Sequence, residues 1–219
     1  MREAVNYNEF LADLAHEKLA GCARTLDFGA GNGLFAELMM ERGHTVICLE
    51  PEPALQEVLA GAGFEVCGDL HDLRPESFDG IYSLNVLEHI DDDAGTVVSL
   101  SRLLKPGGSL FVYVPAFEIL YSAMDAKVGH LRRYRRATLL ATCRAAGLEV
   151  ISAAYADSIG YVASLAYRLV GSRDGSLEPS KVRLYDRYAF PVSRRLDAIT
   201  HRFLGKNIWV HARRAPVNS

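Results

Sequence analysis

Two stretches of the sequence hold residue types in patterns that chemistry requires. In the first, Asp125-Ala126-Lys127-Val128-Gly129-His130-Leu131-Arg132-Arg133-Tyr134, a histidine follows a carboxylate and precedes paired arginines and a tyrosine. Histidine changes charge near neutral pH, so His130 is the first choice for a general base, with Asp125 to orient it and Tyr134 as a further polar contact. The competing reading is a loop whose charges tie it to an acidic part of the chain. Arg132, Arg133, Arg135 and Arg136 form a dense patch that suits a carboxylate or phosphate, or else a solvated face. In the second stretch, Leu26-Asp27-Phe28-Gly29-Ala30-Gly31-Asn32-Gly33, alternate glycines let the backbone turn sharply and let a ligand approach where a Cβ would collide. The pattern is D-x-G-x-G-x-G. Leu34 stands where G-x-G-x-x-G would place its last glycine, which argues against a pyrophosphate cradle. A second histidine, His89, reads better as a helix-start or ligand-loop residue than as a base.

Short apolar runs alternating with helical patterns must position these residues, and that alternation is the signature of β-α-β units in an α/β fold. A helix over about 8–20 leads to a strand at Thr25–Phe28, the glycine turn, and a helix at Leu34–Arg42 closed by Gly43. A second strand, Thr45–Leu49, ends at Glu50; a helix from near Pro51 to Ala60 leads to a third strand, Phe64–Cys67. The fourth strand is Gly80–Leu84. Asp91, Asp92 and Asp93 then start a helix that runs to Leu104, and Lys105-Pro106-Gly107-Gly108 turns into a fifth strand, Ser109–Val114. A helix near Ala137–Ala146 precedes a sixth strand at Leu148–Ala153, and Ile208–Ala212 is the seventh. The fifty or so residues between them are too long for a plain loop, so an insert of two helices is expected over about 157–206. Ile159–Val170 is apolar almost all round, while Val192, Leu196, Ile199 and Phe203 form one helical stripe with Arg194, Arg195 and Arg202 off it. Gly171–Ser180 reads as a polar linker.

The 219 residues, 49% hydrophobic and 23% charged, fit one globular domain and exclude collagen-like, disordered and disulfide-scaffold classes. No apolar run reaches the roughly 18–20 residues of a membrane-spanning helix, and the N-terminus lacks a signal-peptide pattern, so a cytoplasmic protein is expected. Cys22, Cys48, Cys67 and Cys143 form no metal-type cluster and are expected to be reduced; the activity is expected to be metal-independent. The net charge of −3 is unevenly spread: residues 1–125 carry −14 and residues 126–219 carry +11. Such a split suggests that the two parts meet different partners, or each other.

Five landmarks in order, the glycine loop, Glu50, Gly68-Asp69-Leu70, Ser83-Leu84-Asn85-Val86-Leu87-Glu88-His89 and Lys105-Pro106-Gly107-Gly108, resemble those of class I S-adenosylmethionine-dependent methyltransferases of the broad small-molecule type. The resemblance covers about 25–115 closely and 129–150 more loosely. It implies a Rossmann-like, doubly wound, seven-stranded, mostly parallel sheet forming a single domain, with residues 1–125 binding the cofactor and 126–219 the acceptor. It further implies that Asp27, Gly29, Ala30, Gly31 and Gly33 form the cofactor loop and that Glu50 accepts hydrogen bonds from the ribose hydroxyls. Pro51 would border the adenine, Asp69 and Leu70 would meet its edge, and Asn85 and Val86 would underlie the methionine part. The G-H-x-R-R-Y segment would line the acceptor pocket, with His89, Arg132 and Arg133 among the acceptor contacts.

The expected reaction is methyl transfer to a small-molecule or lipid-like acceptor, anionic if the arginines face it, with oxygen favoured and nitrogen or carbon open; S-adenosyl-L-homocysteine is the product. The helical insert would be a lid, a membrane-surface contact or a homodimer contact. An RNA acceptor is a second reading, suggested by arginines with interleaved tyrosine and opposed by the lack of an N-P-P-[YF] segment or RNA-binding module. A non-catalytic cofactor-binding protein is a third, and a nicotinamide oxidoreductase the last, because Leu34 breaks its fingerprint.

Overall fold

The computed structural model describes residues 3–170 and 178–216, so most of the expected linker at 171–180 lies outside the described residues. Seven strands form one sheet: β1 (Arg24–Phe28), β2 (Thr45–Leu49), β3 (Glu65–Cys67), β4 (Phe78–Leu84), β5 (Leu104–Pro115), β6 (Leu148–Ala156) and β7 (Asn207–Arg214). Their order is β3-β2-β1-β4-β5-β7-β6. The first five pair in parallel; β7 runs antiparallel between β5 and β6.

Strand side chains alternate between two apolar layers, because successive residues point to opposite faces. Leu26, Ile47, Ile81, Val112 and Val210 belong to one; Cys48, Tyr82, Phe111 and Tyr113 belong to the other. Helices α4 (Asp93–Leu103) and α6 (Arg136–Ala145) cover the first face through Val97, Leu100, Leu139 and Cys143. Helices α1 (Val5–Lys18), α2 (Leu34–Glu41) and α3 (Pro53–Gly61) cover the second through Leu11, Ala15, Met39 and Leu59. Burial on both faces explains why the central strands read as continuous apolar runs. The chain winds outward from β1 through β2 to β3, then returns to β4 beside β1. That reversal leaves a crevice beyond the carboxyl ends of β1 and β4, the usual place for a ligand in such sheets.

Several boundaries differ from the sequence reading. Helix α1 starts at Val5, and β6 extends to Ala156 because β7 pairs with it through Asn207. A short helix, α5 (Ala123–Val128), lies in the loop after β5; Ser122 and Asp125 form its capping box and Gly129, in the left-handed region, ends it. The insert comprises α7 (Ser158–Val170) and a second helical stretch in which α8 (Pro179–Leu184), a π-helical turn (Tyr185–Ala189) and α9 (Phe190–Thr200) follow without a break. Buried Asp157 fastens the two, accepting from Tyr185 Oη at 2.5 Å and Ser193 Oγ at 2.8 Å. All four cysteines are free.

Candidate active site

The crevice is floored by the turn after β1. Gly29, Gly31 and Gly33 all have positive φ, and the amides of Gly29 and Ala30 donate to the Leu49 carbonyl at 2.9 and 3.1 Å. A Cβ on Gly29 would lie 2.6 Å from Val86, so the loop after β4 rests directly on this glycine. A Cβ on Gly31 would meet nothing within 4 Å, which leaves open space above the peptide for a ligand. Buried Glu50 accepts from the Gly31 amide at 2.8 Å through one oxygen and from the Glu52 amide at 3.0 Å through the other. A carboxylate has about four acceptor sites, so each oxygen retains capacity for a hydroxyl, as a vicinal diol requires. Asp27 is buried beneath the turn, with Oδ2 unpartnered; burial pushes its pKa up to about 7, an effect that nearby Tyr82 partly offsets.

The remaining cofactor candidates divide. Asn85 holds a left-handed backbone, its amide donating to the Tyr113 carbonyl at 2.8 Å, and Pro51 is exposed at the rim. Exposed Asp69 accepts from the His71 amide at 2.8 Å and thereby caps the short helix Leu70–Asp72, and Leu70 packs against the core. Tyr7, which sequence reasoning did not single out, stands edge-on to Tyr113 at 6.2 Å. Burial pushes its hydroxyl to about 12, moderated by the Tyr113 and Asn85 side chains.

Asp125 and His130 do converge. His130 Nδ1 lies 2.7 Å from Asp125 Oδ1, and Ser122 N and Arg133 Nε also donate to that carboxylate at 2.9 and 2.8 Å. Burial alone would raise the Asp125 pKa, but His130 and Arg133 hold it well below the usual carboxylate range. An ionised carboxylate can only accept, so neutral His130 carries its proton on Nδ1 and presents a bare Nε2. That nitrogen faces Glu88 Oε1 at 3.8 Å. Glu88 is fully buried, neither of its oxygens has a hydrogen-bond partner, and burial pushes its pKa up to about 8. His89 Nδ1 lies 3.2 Å from the Gly129 carbonyl, and its ring meets the His130 ring edge-on at 4.8 Å. One ligand atom from each of Glu88, His89 and His130 lies within 4.8 Å of the others. Folding thus assembles a possible metal-ligand set that sequence spacing did not reveal.

The other candidates in this loop are engaged within the protein. Arg133 is almost buried and is spent on Asp125 and on the Ala116 carbonyl at 3.2 Å. Arg132 is bridged to Asp93 at 2.8 Å and bonded to the Asp91 carbonyl at 3.0 Å, so both arginines clamp the loop to the acidic half. Tyr134 is buried, donates to Asp93 Oδ2 at 2.6 Å, and has its pKa driven far up by burial and by that carboxylate. Sequence reasoning did not single out Glu88, because only its burial distinguishes it from a surface carboxylate. Its one sequence signal is its place beside His89 after a strand end.

Comparison with known proteins identifies the family and the fold. A family profile described as a methyltransferase domain matches residues 2–153. Among curated relatives, a ubiquinone biosynthesis O-methyltransferase of Xylella fastidiosa is 37% identical over 100 residues, covering 41% of each protein. The chain therefore spans about two fifths of that relative's length. A SAM-dependent methyltransferase of Archaeoglobus fulgidus superposes with a TM-score of 0.63 at 18% identity, covering 94% of both chains. The 1,6-didemethyltoxoflavin-N1-methyltransferase of Burkholderia thailandensis, solved with bound substrate and S-adenosylhomocysteine, gives 0.59 at 17% identity over 93% of this chain and 76% of its own.

Proposed function

The chain belongs to the methyltransferase-domain family, as a class I S-adenosylmethionine-dependent enzyme, and from that premise we propose that it methylates an oxygen of a small-molecule acceptor, with His130 as the base. The observation that carries this reading is the 2.7 Å contact that fixes Nδ1 of His130 and leaves Nε2 bare beside the loop resting on Gly29. When bound, S-adenosylmethionine supplies an electrophilic methyl group on a sulfonium. Glu50 and the Gly29–Gly33 turn would hold its nucleoside, and Asn85 and Val86 would border its amino-acid part. His130 Nε2 would take the proton of the acceptor hydroxyl, Asp125 stabilising the imidazolium that forms. Positioning would supply much of the remaining acceleration. Residues 1–125 serve as the cofactor half, and 126–219 as the acceptor half with its insert.

A screen of phenolic and other hydroxyl acceptors with methyl-labelled S-adenosylmethionine tests the proposal. Label in an ether product, lost in His130→Asn while S-adenosylhomocysteine still binds, supports it; equal turnover by that variant rejects the base.

A second mechanism is favoured by the orphaned Glu88 carboxylate. His89 and His130 each direct Nδ1 at an acceptor, Gly129 O and Asp125, leaving Nε2 for a divalent ion, which is how metal-bound histidines are commonly oriented. Such an ion would acidify a coordinated hydroxyl directly. Loss of turnover on chelation, restored by a divalent metal, selects this reading; indifference to chelation selects the unaided base.

A further inference from the structure

The second helical stretch of the insert has an outer face that nothing among the described residues covers. Leu184, Tyr188, Val192, Leu196, Ile199 and Phe203 recur every three or four positions and so share one side of the rod and the turn that follows it. They are 61%, 59%, 47%, 41%, 73% and 74% exposed. Single exposed apolar residues are ordinary, but a contiguous stripe of this length marks an interaction surface.

Its charge identifies the partner. Residues 179–206 contain seven Lys/Arg and two acids. Both acids are turned inward: Asp186 accepts from the amides of Asn6 and Tyr7, each at 2.9 Å, and Asp197 from those of Asp157 and Ser158 at 2.8 and 2.9 Å. On this rod the stripe is therefore bordered by cations, of which Arg183 pairs with Glu3, Lys181 pairs with Glu178, and Arg194 and Arg195 share a cavity with Glu9 and Asp13. Arg195 and Arg202 are exposed and make no ion pair among the described residues.

We propose that this face docks the protein on an anionic membrane surface, with Ile199 and Phe203 entering the headgroup–acyl boundary while Arg195 and Arg202 meet anionic headgroups. An apolar stripe bordered by arginine is the pattern of a helix lying in a lipid interface. A second copy of the chain fits poorly: a two-fold contact sets the same patch against itself and would oppose cation to cation. The inner side of the same rod is anchored firmly. Phe190 packs edge-on against Tyr7 and Phe10 at 5.4 and 5.6 Å, and Tyr7 in turn adjoins Tyr113 at the crevice. The docking surface thus backs onto one wall of the candidate active site, and the inference does not depend on which acceptor that site uses.

Co-sedimentation with phosphatidylcholine vesicles, with and without phosphatidylglycerol, tests the proposal. The full chain should pellet with the anionic vesicles only, with binding that weakens as salt rises. I199S/F203S and R195E/R202E should each reduce binding at least about tenfold while the circular dichroism spectrum and S-adenosylhomocysteine affinity stay unchanged. Wild-type protein that stays in the supernatant with anionic vesicles, or variants that bind as well as it does, would overturn the proposal. So would a dimer in sedimentation velocity that I199S/F203S disperses while vesicle binding is absent.

Discussion

Asp125 binds His130 and Arg133 through one carboxylate, Oδ1 lying 2.7 Å from the imidazole Nδ1 and 2.8 Å from the guanidinium Nε. The arginine neutralises the buried carboxylate and the histidine is oriented by it, so the stability of the loop and the proposed chemistry of the site share a residue. Asp125→Asn keeps the shape but lets the amide favour the other imidazole tautomer. Turnover is expected to fall about 10²–10⁴-fold with S-adenosylhomocysteine affinity unchanged, read by single-turnover kinetics beside calorimetry. Asp125→Ala leaves Arg133 buried without its partner and should cost about 3 kcal/mol in urea unfolding.

The two glycines of the cofactor turn make opposite predictions. Gly29→Ala forces a Cβ into Val86 at a positive φ, so it should destabilise the fold by about 2–4 kcal/mol. Gly31→Ala meets no protein atom and costs only the left-handed backbone, about 1–2 kcal/mol, yet its methyl projects into the ligand space. Cofactor affinity should therefore fall more than stability in Gly31→Ala, as thermal unfolding measured alongside titration with S-adenosylhomocysteine would reveal.

Asp27 gives the fold a pH dependence of definite sign. Its pKa rises on folding from an ordinary 3.8 to about 7, so the folded state holds the proton more tightly. Its contribution is fully present below about pH 4, is lost as pH rises towards 7, and is flat above. Asp27→Asn removes this dependence. Relative to wild type, the variant should gain on the order of 1–3 kcal/mol between pH 4 and pH 8 in urea unfolding; a constant difference across that range would refute the assignment.

Tyr134→Phe separates a structural tie from a catalytic group. Its hydroxyl serves Asp93 and the Leu87 carbonyl, so the variant should lose about 1 kcal/mol of stability and retain its kcat. A large fall in kcat with unchanged stability would return Tyr134 to the reaction.

What the sequence disclosed and what it hid follow from the range of the interactions. The glycine turn and Glu50 are legible because a strand, a sharp turn and a helix start lie within a few residues of one another. Asp125 and His130 are legible for the same reason, being joined by one turn of helix and its glycine stop. Glu88 is not, because the segment that buries it arrives from forty residues away, the Leu131 amide donating to its carbonyl at 2.8 Å. The arginine patch left two readings open in the sequence; the partners that tie Arg132 and Arg133 come from α4 and α5. Ile199 and Phe203 show the limit of periodicity, since three-and-four spacing describes an apolar face whether it meets a core or looks outward.

The role of His130 and the class of acceptor are tested together by supplying methyl-labelled S-adenosylmethionine and an acceptor-containing cell extract to the wild-type protein and to His130→Asn, then following label into small-molecule, lipid, RNA and protein fractions. Label is expected in a small-molecule or lipid fraction, as an ether, with the wild type alone, while both proteins bind S-adenosylhomocysteine. Label in RNA or protein, or equal label with His130→Asn, would contradict the proposal.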